Sequence, residues 1–506
     1  MLAASFPPLH LLVPPFLALV PFAVWVGRLP TGPDGVAAAT RGGLLLGVVM
    51  HGLLLHWIAP ALWWTTAWAP LALLSVVALL AGLTTAFGWA LHRMVHRARA
   101  PLWLALPVAW TAMEWLQGHL PGPLAFPWLG LGTSLTGYPE LVGIAELVGA
   151  RGVSFWLALV SGVLATALLA PRPARVRIAV ALAVVVVVPA AWGVARARTL
   201  TAVPVARVAI VASDIPAAAR RDTAEWRARS GAVLDAALDA APARTLAGPD
   251  DQAVDLLVLP EGLIMAGRGG LEGAPLVERA RAASAGRGVP ILFGAYVGGG
   301  RAAPENLAVL TRPGGSTPAL YRKRRLVPLV EWRPGDPSVS AGDAVLRDDG
   351  RVLGPLVCWE AIFPEAARHA RLAGAALLVN VSNDAWFGAS GGLGRAGREQ
   401  HAAHLVMRAI ENRMGAVRSA NGGVSYVVDP SGRMDARLEP GPEVRVTKGV
   451  VRSTTMVTFY TRTGDLAGLG SVLLSVGLLV LSLGVVRSSN DLFRDAHEDV
   501  GPEAQV

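Results

Sequence analysis

Three side chains in this sequence have the types and settings for covalent acyl chemistry. Cys358 closes the run V-L-G-P-L-V-C in the stretch 352–365, where strand-forming residues Leu353 to Val357 deliver it and a helix is expected to begin near Pro364. Glu261 follows L-L-V-L-P (256–260), and Lys323 follows A-L-Y-R (319–322). A thiol attacks only as thiolate, so it needs a base, and a carboxylate held in an apolar cleft with a raised pKa can serve. A cation beside the attacked carbonyl, joined by the backbone N–H of Trp359, can hold the oxyanion. Side chains at strand ends of one packed sheet can converge on a single cleft. Singly each signal is weak. A Pro-Glu after a strand is common, Arg322-Lys-Arg-Arg325 reads as a solvated basic run, and a lone cysteine is more often a small buried hydrophobe. In this order, at three strand ends, they are specific. Cys358 is also the only cysteine in 506 residues, which excludes a disulfide or cysteine metal cluster within the chain.

The elements that must position these residues fall into two halves. The chain is 53% hydrophobic, only 16% charged, and has a mean hydropathy of +0.47, whereas soluble domains carry about 25% charged residues. Apolar stretches long enough to cross about 30 Å of hydrocarbon lie near 8–27, 42–60, 68–91, 102–118, 153–171, 176–195 and 466–486. The sequence thus divides into a membrane-spanning helical domain over 1–200 with about six spans, a domain over 203–455, a last span at 466–486 and a tail at 487–506. Arg28 and Arg41, the basic run 92–99, and Arg172, Arg175 and Arg177 alternate with the nearly neutral connections 61–67 and 119–152. By the positive-inside rule the basic loops are cytoplasmic, which puts the 203–455 domain outside. Connection 119–152, with Phe126-Pro-Trp128 and Tyr138, suits a segment lying in the outer interface, and Glu114 and Glu146 are read as interfacial acids. The net charge of +9 is scattered or sits at span ends, so nucleic-acid binding is excluded.

From 203 to 455 short apolar runs alternate with amphipathic helices, the pattern of an α/β domain with a large buried sheet. Strands are expected at 205–211, 256–259, 291–297, 307–311, 319–322, 353–357, 376–381, 417–419 and 424–428, with helices at 217–241, 274–287, 364–373 and 398–414. Gly392-Leu-Gly-Arg-Ala-Gly397 fits a dinucleotide fingerprint but follows a loop rather than a strand. A lid hinged by glycines within 388–397 is the better reading. His401 and His404 share a helix face without a suitably spaced third ligand, so no metal is assigned. Asn383, Asp384 and Trp386 are read as cleft wall or lid.

The motifs P-E-G (260–262), Y-R-K-R-R-L-V-P (321–328), V-C-W-E (357–360) and N-D-A-W-F-G (383–388) resemble the Glu-Lys-Cys set of the carbon–nitrogen hydrolase (nitrilase) superfamily. The membrane frame, with spans before and one after, resembles the apolipoprotein N-acyltransferase family over nearly the whole chain. The resemblance implies a multi-span α-helical membrane bundle carrying a nitrilase-like αββα sandwich. It implies Glu261 as general base, Lys323 as oxyanion stabiliser and Cys358 as nucleophile, with Glu331, Glu360 and Trp359 in support. It further implies a multi-pass protein of the bacterial inner membrane with no cofactor, a phospholipid acyl donor and a diacylated lipoprotein acceptor. Val330-Glu331 stands where the family usually has Gly-Glu, and Trp359 where it usually has tyrosine. The family commonly has one more amino-terminal span. Two other readings stay open: a membrane-tethered amidase with water as acceptor, and a non-enzymatic scaffold in which Cys358 is dispensable.

Overall fold

The computed structural model describes residues 1–498 except 64–65, 242–252, 268–269, 299–304, 316, 329, 332–342, 349 and 389–391, with the backbone alone over 484–498. Part of the expected lid, 389–391, and the end of the tail, 499–506, therefore lie outside the described residues.

Among the described residues, five helices are long and apolar enough to cross a membrane: Pro33–Leu55, Ala69–His96, Ala145–Leu169, Arg172–Thr199 and the first part of Leu466–Glu498. Prolines set several starts, since a missing N–H costs nothing in a first turn. Pro33 opens one helix, while Pro101 and Pro171 stand just ahead of two others. The stretch 8–27 becomes two short helices, Pro14–Leu17 and Val20–Arg28, separated by a break of two residues. Leu102–His119 is a helix too, yet Glu114, Gln117 and Pro107 dilute its hydropathy and lie buried within the protein.

Helices Pro33–Leu55 and Ala69–His96 approach to backbone contact. A Cβ on Gly88 would lie 2.4 Å from the Ala39 carbonyl oxygen, and one on Gly43 equally close to that of Thr84. Small residues of this kind let membrane helices gain packing that lipid cannot supply.

The Ala145–Leu169 helix contains a break. Gly149 has φ 69°, and the freed N–H of Ala150 donates to Glu411 Oε1 at 2.7 Å. Glu411 belongs to the second half of the chain, so the two halves share this joint.

The second half is built on β1 (Val203–Ser213), β2 (Leu256–Val258), β3 (Ile264–Ala266), β4 (Ile291–Val297), β5 (Glu305–Thr311), β6 (Ala319–Arg322), β7 (Leu346–Asp348), β8 (Arg351–Val357), β9 (Leu377–Asn383), β10 (Ala416–Asn421), β11 (Ser425–Val428), β12 (Met434–Leu438) and β13 (Arg445–Ser453). The order β6-β5-β4-β2-β1-β10-β9-β8-β7 is one hydrogen-bonded path, but β1 meets β10 only at Ala212↔Ala420 and Ser213↔Asn421. Two half-sheets therefore hang from one seam. On β1, Val208 and Ile210 join a core with Leu356 and Val379 of the other half-sheet, whereas Ala209 and Val211 face the helices Thr223–Ala240 and Pro275–Arg287. Helices Pro364–Leu372 and Arg395–Asn412 pack on the second half-sheet, giving the αββα layering.

Four strands were not legible in the sequence: β3, β7, β12 and β13. β13 pairs with β1 along nearly its whole length, but its run R-V-T-K-G-V-V-R-S is half exposed and reads as polar surface. The expected helix 217–241 starts later, at Thr223, because Asp222 caps it by accepting from the N–H groups of Ala224 and Glu225 at 2.8 and 3.1 Å.

The close helix pair yields a test. Gly88→Val must push backbone apart, so the purified protein in detergent should lose about 1–3 kcal/mol of stability and melt several degrees lower. Gly82→Ala on the same helix, where a Cβ meets nothing within 4 Å, should leave the melting temperature unchanged. Equal melting of the two variants would remove the packing argument.

Candidate active site

Strands β2, β4, β1, β10, β9 and β8 run parallel, and β6 points the same way because two antiparallel pairings separate it from β4. The carboxyl ends of β2, β6, β8 and β9 therefore lie along one edge. They carry Glu261, Lys323, Cys358 and Asn383-Asp384 respectively, and all five side chains are buried.

Lys323 is the centre of the charge arrangement. Its Nζ lies 3.2 Å from Glu261 Oε1 and 2.9 Å from Glu331 Oε1, with its own side chain fully buried. Asn306 Nδ2 donates to both carboxylates, at 2.6 and 2.7 Å, and Tyr296 Oη to Glu261 at 3.4 Å. The second Glu261 oxygen accepts from the Asn383 N–H at 2.9 Å. Lys323 sits in a basic run only by sequence: Arg322 turns outward to Glu305 at the end of β6, and Arg325, beyond the strand, pairs with Glu365, while Lys323 turns in.

Burial and charge set the proton affinities here. Burial lowers the Lys323 pKa, but the Glu261 and Glu331 carboxylates outweigh it and hold the ammonium well above the ordinary lysine range. For Glu261 burial pushes up, yet Lys323, the Asn306 hydrogen bond and Arg220 together bring it below the usual carboxylate value. The sequence-based expectation of a raised Glu261 pKa therefore fails, because the cation is in direct contact. Burial pushes the Cys358 thiol up, and the Glu261 charge pushes it further. The resting pair is a neutral thiol beside an ionised carboxylate.

Cys358 takes φ 52°, a left-handed conformation that non-glycine residues adopt at a cost. What holds it there is Glu360. Its Oε2 accepts from the Val357 N–H at 2.8 Å and its Oε1 from the Arg324 N–H at 2.7 Å, and Tyr321 Oη donates to both oxygens at 3.0 and 2.9 Å. One buried carboxylate thus ties the cysteine turn to the lysine loop.

Behind the cysteine lies a second cluster. Arg418 Nη2 is 2.6 Å from Asp384 Oδ2, and His401 Nδ1 is 2.9 Å from Asp384 Oδ1. Burial acts to raise the Asp384 carboxyl, but Arg418 and His401 hold it well below the usual range. Cys358 Sγ, an Asp384 oxygen and a His401 nitrogen all lie within 4.8 Å of one another. Arg418 already neutralises Asp384, so the group is arranged for ion pairing and proton handling rather than for a second cation.

In front of the cysteine is an apolar cavity of about 440 Å³, walled by both halves of the chain. Cys358, Trp359, Trp386 and His401 face it from one side, and Trp57, Leu79, Leu80 and Phe126 from the membrane helices and their connection. Trp359 packs on Phe126 and Trp128 with ring centroids 5.5 and 6.0 Å apart. Asn383 Oδ1 accepts from the Ala385 N–H and from Asn421 Nδ2, which fixes the turn that carries Trp386.

Sequence reasoning missed Asn306, Tyr296, Tyr321 and Arg418. A detectable signal existed for Arg418 and Asn306, since each is a polar residue inside an otherwise buried strand. Glu146, read as an interfacial acid, is a docking residue: it accepts from Arg413 at 2.8 Å and from Arg196 at 2.7 Å.

A base, a buried ammonium and a thiol at the head of an apolar cavity are the parts of acyl transfer through a covalent intermediate. Residues 1–163 match the model of the apolipoprotein N-acyltransferase N-terminal domain, and residues 208–454 match that of carbon-nitrogen hydrolase. The protein named apolipoprotein N-acyltransferase from Geobacter metallireducens is 30% identical, covering 92% of this chain and 90% of that one. Its namesake from Azotobacter vinelandii is 32% identical with the same coverage. Among solved structures, an amidase from Nesterenkonia sp. is 22% identical, covers 52% of this chain and 94% of its own, and gives a TM-score of 0.35. On its sequence relatives and on both matched models, the chain belongs to the apolipoprotein N-acyltransferase family.

Proposed function

We propose that this protein N-acylates lipoproteins, moving an acyl chain from a membrane phospholipid to the α-amine of an amino-terminal diacylglyceryl-cysteine by way of a thioester on Cys358. The observation that carries the reading is the position of Cys358 at the head of a cavity whose far wall is membrane helix. An acyl chain of the bilayer fits such a wall, and a water-soluble amide gains nothing from it.

In the first half of the reaction Glu261 takes the Cys358 proton, and the thiolate attacks the donor's ester carbonyl. Lys323 and the Trp359 N–H stabilise the oxyanion. The ester C–O bond then breaks, and Glu261 returns the proton to the departing lysophospholipid. In the second half the acceptor amine attacks the thioester, the C–S bond breaks, and the amide leaves. This is a ping-pong sequence. A raised thiol pKa beside a low-pKa carboxylate makes proton transfer uphill at rest. It becomes favourable only as the attacked carbonyl places new negative charge beside Lys323.

Mass spectrometry of the purified protein mixed with phospholipid alone should show an acyl adduct on Cys358. Cys358→Ala and Glu261→Gln should show none while inserting normally. Free amide or water-dependent turnover without phospholipid would favour the amidase reading instead.

Only Lys323 and Lys448 among 45 basic residues are lysine. A compact ammonium fits between Glu261 and Glu331, whereas a guanidinium is larger and spreads its charge over a fork. Lys323→Arg should therefore lower transfer by about 10²–10³-fold at equal membrane expression, with Arg322→Lys within twofold of wild type. Transfer by Lys323→Arg within a fewfold of wild type would make the residue one more cation.

Orientation has its own test. With the 203–455 domain outside the cytoplasm, a cysteine at the exposed Glu443, in a Cys358→Ala background, should react with an impermeant thiol reagent on intact spheroplasts. Labelling only after lysis would reverse the topology.

A further inference from the structure

An α-amine has a pKa of about 7.7–8.0 and reaches the enzyme mostly as ammonium at neutral pH. Turning that ammonium into an amide releases two protons. On the proposed function, the Cys358 leaving group consumes one of them, delivered through Glu261. The other needs a separate acceptor.

We infer that this acceptor is His401, a residue with no part in forming the thioester. Its Nδ1 lies 2.9 Å from an Asp384 oxygen. A carboxylate oxygen only accepts, and its 2.9 Å contact is shorter than the 3.3 Å approach of Arg418 Nη2 to the same nitrogen, so Nδ1 carries the ring proton and Nε2 presents a lone pair. Nε2 is buried and has no hydrogen-bond partner among the described residues. The residue is 1% exposed and lines the same cavity as Cys358, with a ring nitrogen within 4.8 Å of the assembly that includes the sulfur.

The ring cannot turn away. It stacks on Trp128, with centroids 5.4 Å apart and planes at 25°, and meets Phe387 edge-on. The charged and titratable groups around it are Asp384 beyond β9, Arg418 Nη2 from β10 at 3.3 Å, Cys358 beyond β8, and His404 one turn along its own helix. Asp384 is fixed in turn by Arg418 and by Ser382 Oγ at 2.8 Å. Asp384 thus orients the ring from one side, and on the other stands an unpartnered Nε2 on a residue that lines the cavity, the arrangement that a general base requires.

The step balances. The ammonium passes one proton to His401 Nε2 and becomes a free amine, which forms the C–N bond. Its second proton goes to Glu261 and then to sulfur as the C–S bond breaks. His401 later releases its proton to solvent.

The test separates the half-reactions in the full chain, reconstituted with phospholipid. His401→Gln should form the Cys358 thioester at a rate within twofold of wild type. Transfer from that thioester to a synthetic diacylated lipopeptide at pH 7 should fall at least about 10-fold, and the deficit should shrink toward pH 9, where the amine arrives neutral. Hydroxylamine, unprotonated at pH 7, should discharge the variant thioester at the wild-type rate, which also shows that the site is intact. Slowed thioester formation, a deficit independent of pH, or equal loss with hydroxylamine would each overturn the assignment. If wild-type protein forms no thioester at all, it is the proposed function that falls.

Discussion

The buried ammonium of Lys323 is the constraint on which the rest of the site depends. An isolated charge in an apolar interior costs many kcal/mol, so Lys323 is tenable only with Glu261 and Glu331 both in contact. Two carboxylates and one cation leave a net negative charge, which Asn306 spreads by donating to both and which Arg220, stacked on Tyr296 at 4.6 Å, offsets further. These partners come from β5, from the segments that follow β2 and β6, and, for Arg220 and Tyr296, from the turn after β1 and from β4. Their meeting fixes the relative position of the strand ends. Breaking such a group by removing one partner typically costs about 3–5 kcal/mol, and this makes the arrangement rigid as well as reactive.

Rigidity on the catalytic face has to be matched on the membrane face, because the cavity is walled by both. Gln400 makes the match on the Arg395–Asn412 helix. Its Oε1 accepts from the indoles of Trp57 and Trp128 at 3.1 and 2.8 Å, while its Nε2 reaches the Leu54 carbonyl at 3.3 Å. One residue further along the same helix stands His401. The broken turn at Gly149 and the Glu146–Arg413 pair secure the far side. A Cβ at Gly149 would come within 2.5 Å of the Tyr460 ring, so that close approach, together with a positive φ, calls for glycine. The membrane bundle and the sandwich are therefore one packed unit at the site.

What was legible in the sequence follows from how local each signal is. Strand ends with a reactive residue, Glu261, Lys323 and Cys358, are written in runs of five or six residues, and their convergence follows from parallel pairing. Helical spans are written in composition. The sign of the Glu261 pKa shift was not legible, because it depends on a cation 62 positions away in sequence. Glu360 was recognisable as a supporting acid, but not that it accepts from Arg324 and Val357 at once. β13 was invisible because an edge strand with one wet face lacks an apolar run. Arg418 was passed over because an arginine within A-V-R-S-A-N looks like a surface residue, and only the Asp384 contact shows why it is buried.

A hydrolase and an acyltransferase can share one base, one ammonium and one thiol, so the choice between them lies elsewhere. A thioester is open to water as well as to an amine, and water is the more abundant nucleophile. Cys358 is 4% exposed, and Phe126, Trp128, Trp359 and Phe387 close aromatic surface around it. Such a wall offers water few hydrogen-bonding partners, whereas a lipid-anchored amine brings its own apolar surface to displace it. On the proposed function, selectivity for transfer then arises from the cavity rather than from the triad. On that same reading both substrates would enter from the bilayer, which raises their local concentration at the sulfur without any new catalytic group. A polar residue in that wall is His401, and its place there is where an acceptor that must lose a proton, rather than a water, would need it.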